Sequence, residues 1–105
     1  MVMTSREVRE QLLRECDEDH VGLWSIVRLY REESRGTHGM EEILRELEDL
    51  LATGVLQVGF PTKDGRLFNS WSSQPIESVA RIRREWLALG RDPDIGEIAW
   101  FTTPT

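Results

Sequence analysis

Residues 40–54, MEEILRELEDLLATG, carry the most constraining pattern in the chain. Met40, Ile43, Leu44, Leu47, Leu50 and Leu51 recur at i, i+3, i+4 and i+7, the spacing that lines one face of an α-helix. Gly54 follows as a left-handed stop. The outward positions are Glu41, Glu42, Arg45, Glu46, Glu48 and Asp49, five acids against one base, for a sum of -4.

Two further helices are expected before this one. In TSRE, Thr4 and Glu7 stand at capping-box spacing, and Val8, Leu12 and Cys16 follow as a narrow apolar stripe with Leu13 beside it. Such a stripe suits a peripheral helix. The run Asp17-Glu18-Asp19 is unfavourable at the negative end of a helix dipole, so it marks a boundary, with one aspartate capping the next helix. That helix, residues 20–33, is apolar through Leu23, Trp24, Ile26, Val27, Leu29 and Tyr30, an arc wide enough for a central position. SRGTHG at 34–39 breaks it.

Residues 55–71 predict a β-hairpin turning at Asp64-Gly65. Pairing Thr62 with Leu67, Phe60 with Asn69 and Val58 with Trp71 gathers Leu56, Val58, Phe60, Leu67 and Trp71 on one buried face. Gln57, Gly59, Lys63, Arg66 and Ser70 take the other, and Phe68 is the apolar exception that turns outward beside Pro61. With a two-residue turn, Pro61 falls in a hydrogen-bonded pair with Phe68, and it has no N–H to give. A three-residue loop with a bulge removes that conflict but scrambles the faces. A looser four-residue loop keeps the alternation and is the expected form.

Pro75 opens a helix over residues 75–89, with Ile76, Val79, Ile82, Trp86 and Leu87 as its apolar face and Gly90 as its stop. The tail EIAWFTT is expected to be a third strand, entered through a turn at 93–96, with a short helix as the alternative. The fold class is therefore α+β: three N-terminal helices, a hairpin, a further helix and a short C-terminal strand. Residues 1–105 read as a single domain with no repeat or low-complexity tract. Trp24, Trp71, Trp86 and Trp100 come from four elements and are expected to share its core.

Three helices followed by a hairpin resemble a winged-helix domain in element order, and the resemblance covers roughly residues 20–71, from the second helix through the hairpin. The resemblance implies a helix for the DNA major groove and a hairpin for the backbone or minor groove. The chain departs from that pattern in having one helix, not two joined by a tight turn, between the central helix and the hairpin.

Charge argues against the nucleic-acid use. The net charge of -6 belongs to residues 1–54, with 7 basic and 13 acidic residues, whereas residues 55–105 hold 6 of each. Non-specific affinity for nucleic acid comes mainly from Lys and Arg neutralising phosphates. The candidate contacts for that reading are Lys63 and Arg66 at the hairpin tip and Arg81 and Arg84 on the last helix. The favoured reading is a partner-binding surface made of Phe68 and the acidic residues Glu42, Glu46 and Asp49, for an unspecified protein partner or a second copy of the chain.

No enzymatic chemistry is spelled out. Cys16 lies on an apolar stripe, and His20 and His38 open different helices, so neither a nucleophile–base pair nor a metal-ligand spacing is present. The glycines punctuate turns and form no phosphate-cradling loop. The sequence thus points to a non-enzymatic protein with no cofactor and no metal. No apolar run reaches the ~18 residues of a membrane span, the start MVMTSREVRE lacks a secretory signal's apolar core, and a lone cysteine fits the cytoplasm.

Overall fold

The computed structural model of the chain describes residues 4–33 and 39–104. Residues 34–38, with the expected helix break and His38, lie outside the described residues. Among the described residues the architecture is α+β: four helices and one four-stranded antiparallel sheet of order β1-β4-β2-β3.

Helix α1 spans Ser5–Glu18. Its capping box forms as the residue spacing requires: Glu7 N–H donates to Thr4 Oγ1 at 3.2 Å, and Thr4 N–H donates to Glu7 Oε1 at 3.0 Å. The stripe Val8, Leu12 and Cys16 is buried. The helix ends at the acidic run, as expected, but Asp19 does not cap the next helix. Its carboxylate accepts the neighbouring His20 N–H at 2.7 Å, because a two-residue strand, β1 (Val21–Gly22), intervenes. Helix α2 therefore starts at Leu23 and runs to Glu33, three residues later than the apolar arc suggested. Leu23, Ile26, Val27 and Tyr30 are buried, whereas Trp24 and Leu29 are half-buried.

Helix α3 spans Met40–Ala52 and buries Ile43, Leu44, Leu47 and Leu50 of the stripe read from the sequence, with Met40 and Leu51 half-buried; Gly54 follows at φ 79°. Helix α4 spans Pro75–Leu89, with Pro75 in the first turn and Gly90 in the left-handed region at φ 70°. Its buried stripe is narrower than expected. Val79, Ile82 and Trp86 face the core, but Ile76 and Leu87 are 67% and 62% exposed. They share an adjacent stripe with exposed Ala80 and half-buried Arg83.

Strands β2 (Gln57–Pro61) and β3 (Phe68–Ser70) form the hairpin, and β4 (Trp100–Thr102) is the C-terminal strand, not the alternative short helix. Strand β4 inserts between β1 and β2. Val21, Phe101, Val58 and Trp71 lie in one cross-sheet row facing the helices; Gly22, Trp100, Gly59 and Ser70 lie in the next row on the outer face. The end of α1 is tied to this sheet, since Cys16 O accepts from Thr102 Oγ1 at 3.3 Å and from Thr103 N–H at 3.4 Å.

The entry into β4 is strained. Ala99 N–H donates to Glu97 O at 2.9 Å, closing a γ-turn around Ile98, whose φ is 71°. A β-branched residue is disfavoured there. The turn brings Ile98 and Ala99 into the core while Arg91 and Asp94 N–H hold Glu97 from outside. Among the described residues, no helix is long and apolar enough to cross a membrane.

Candidate interaction surface

The hairpin pairs Gly59 with Ser70, Phe60 with Asn69 and Pro61 with Phe68, the register the alternation required. Residues 63–66 form the four-residue loop. Thr62 N–H donates to Leu67 O at 2.9 Å and Trp71 N–H donates to Val58 O at 2.8 Å. Pairs alternate along an antiparallel ladder, so Phe60–Asn69 is also a hydrogen-bonded pair and Pro61–Phe68 is not. The expected conflict at Pro61 therefore vanishes: the longer loop shifts the phase. Its ring nitrogen faces the β4 side at a point where β4 has not yet begun.

The tip is built around Asp64. Its carboxylate accepts the Thr62 hydroxyl at 2.6 Å and Arg66 N–H at 3.1 Å. These bonds, the hydroxyl first, hold the Asp64 carboxyl below the usual range. Gly65 takes φ 73° and donates to Thr62 O at 2.9 Å. Asp64 is thus a turn residue, and Lys63 and Arg66 project from the tip, exposed.

The two faces of the hairpin differ from expectation. Val58 and Leu56 are buried, but Phe60 is 38% and Leu67 69% exposed on that same face. Trp71 is half-buried, with its ring 6.1 Å from that of Phe60 and the Arg81 guanidinium 3.9 Å from its centroid. The helices cover the base of the hairpin and leave its far half overhanging. Alternation fixes which side a residue takes, not how far the covering layer extends. Phe68 does take the opposite face, but it is half-buried, not openly exposed. Its ring stands 5.1 Å from that of His20, an arrangement for which the sequence offered no signal. On the same outer face Trp24 meets Trp100 edge-on at 5.5 Å. The four tryptophans do not share one core: Trp86 is buried, Trp24, Trp71 and Trp100 are half-buried, and Trp71 lies across the sheet from Trp100.

Four of the acids on α3 have partners within the chain. Arg9 of α1 pairs with Glu46 and lies 3.1 Å from Asp49. Glu42 accepts Gly39 N–H at 2.9 Å as the helix cap. Glu41 takes Arg83 of α4 at 3.0 Å. These contacts hold the Arg9 and Arg83 guanidinium pKa values above their ordinary value, with the carboxylate hydrogen bond as the largest cause in each. Of the expected acidic surface, Glu42 thus caps α3 while exposed, Glu46 is half-buried in a tie to α1, and Asp49 joins that tie while exposed. The last-helix arginines also divide. Arg81 bonds Glu85 at 2.8 Å while stacking on Trp71, and Arg84 is exposed.

Cys16 is buried, and burial followed by the nearby Glu15 pushes its thiol up to about 12. Burial likewise raises the Tyr30 phenol. Among the described residues, no group of three or more His, Cys, Asp or Glu converges as a metal site. No protein-family model, curated protein or solved structure matches the chain.

Proposed function

We propose that this chain is a non-enzymatic, winged-helix-like module of the cytoplasm that acts by binding protein through its hairpin. The observation that carries the reading is the overhang of the hairpin beyond the helical layer. It presents Leu67, 69% exposed, and Phe60 beside the half-buried Trp71, next to an edge that no other strand occupies among the described residues. An exposed apolar group beside unpaired backbone donors and acceptors is costly to leave in water and fits strand addition by a partner. Residues 67–73, LFNSWSS, contain no charge that would repel an incoming strand. The α3 carboxylates Glu42, Glu46 and Asp49 are placed second in this reading, because Arg9 and the Gly39 cap also engage them within the chain.

A photo-crosslinking side chain at Leu67, expressed in the native cells, tests this. It is expected to give discrete protein adducts that the same group at exposed Arg14 on α1 does not give. The absence of any Leu67-specific adduct would refute the reading. Duplex-DNA titration at low salt is the competing test, since electrostatic affinity is greatest there. Binding that weakens when Lys63 and Arg66 are both changed to Ala would make the hairpin a nucleic-acid wing instead.

A further inference from the structure

We infer that the partner of the hairpin is a second copy of this chain, joined edge to edge through β3 to make one continuous eight-stranded sheet. The inference rests on the protein-binding reading above and adds its occupant and register. Within the hairpin, Phe60–Asn69 is a hydrogen-bonded pair, so the backbone groups of Phe68 and Ser70 point away from β2, toward the open edge. A two-fold axis at Asn69 sets Phe68 of each copy opposite Ser70 of the other. That register satisfies both N–H and both C=O groups of each strand, a closed isologous contact.

Side chains select the same register. It lays Leu67 of one copy opposite Trp71 of the other, on the face that also carries Phe60. There Trp71 borders a recess of about 170 Å³ that Leu51, Leu56 and Val58 also line. Sliding one way, to centre on Phe68, would need Arg66 N–H, which Asp64 already takes at 3.1 Å. Sliding the other way, to centre on Ser70, would set Leu67 against Ser73, leaving the apolar side chain uncovered. Charge permits the approach here, whereas residues 1–54 carry the net negative charge that would oppose it. Residues 55–80 carry only Lys63, Arg66, Asp64 and Glu77, a sum of zero, and Arg81, stacked on Trp71, is paired with Glu85, while the -6 of the chain resides in residues 1–54. The hairpin itself therefore adds no net charge repulsion between two copies, while His20 beside Phe68 brings the acidic end of α1 near this edge.

Sedimentation of the full chain over a range of concentrations, with amide exchange at the same concentrations, tests the inference. The expected result is a monomer–dimer equilibrium in which the Phe68 and Ser70 amides become protected as dimer forms. Ser70→Pro removes one outward donor per copy and leaves the β2 ladder intact, so it should weaken dimerisation at least about tenfold. Leu67→Lys, at an exposed site, should do the same and serves if the proline variant does not fold. A chain monomeric at every concentration, or a dimer whose Phe68 and Ser70 amides stay unprotected, overturns the inference. In that case a Leu67 crosslink to a different protein would leave the broader reading standing, and no crosslink would remove both.

Discussion

Arg9 on α1 bridges two carboxylates on α3, donating from Nε to Glu46 at 2.9 Å and lying 3.1 Å from Asp49. This one side chain turns what reads as a free acidic helix face into an inter-helix tie. Arg9→Ala should lower unfolding stability by about 1–2 kcal/mol, since a part-buried charged hydrogen bond is lost and solvent screens the remainder. Urea denaturation measures this, and Glu46→Gln in the Arg9→Ala background should then cost little. A full additional loss would mean the two residues are not coupled.

Gly59 and Gly22 flank Trp100 on the outer face of the sheet, and each is pressed by a different kind of neighbour. A Cβ at Gly59 would fall onto the Asn69 carbonyl and 2.8 Å from Ser70 Cα, both backbone. One at Gly22 would meet the Trp24 ring, which can turn. Gly59→Ala is therefore expected to destabilise by about 1–3 kcal/mol and to loosen β3, with Gly22→Ala milder. Thermal melts of both variants decide the order, and a milder Gly59→Ala would contradict it.

Cys16 is a packing residue with a thiol pushed up to about 12 by burial and by Glu15. In native protein at mildly alkaline pH it should react with a thiol reagent only as fast as the chain opens. Adding urea should accelerate labelling in step with unfolding. Fast labelling of the fully folded protein is the outcome this account does not survive.

Glu97 holds the loop that leads into the strained turn at Ile98. Arg91, then Asp94 N–H, lower its carboxyl from an ordinary 4.5 to about 2. The folded value lies below the unfolded one, so the associated stability is fully present above about pH 4.5 and is lost as pH falls toward 2. The advantage of wild type over Glu97→Gln should shrink across that window. In an NMR titration, Arg91→Met should return the Glu97 midpoint toward its ordinary value.

Local sequence was sufficient wherever the answer depended on neighbours in the chain. The Thr4–Glu7 cap, the α3 stripe, the stops at Gly54 and Gly90 and the hairpin register all follow from spacing and backbone freedom, which act over a few residues. Long-range pairing decided the rest. Val21 and Gly22 leave the helical pattern because β4, some eighty residues away in sequence, offers them a ladder. Pro61 is tolerated because the loop sets the ladder's phase and β4 ends short of it. Leu67 and Phe60 are exposed although they alternate with Val58, because periodicity names a face but only the packed helices determine where that face stops being covered. Glu46 and Asp49 read as free charge until Arg9, thirty-seven and forty residues earlier, is folded against them.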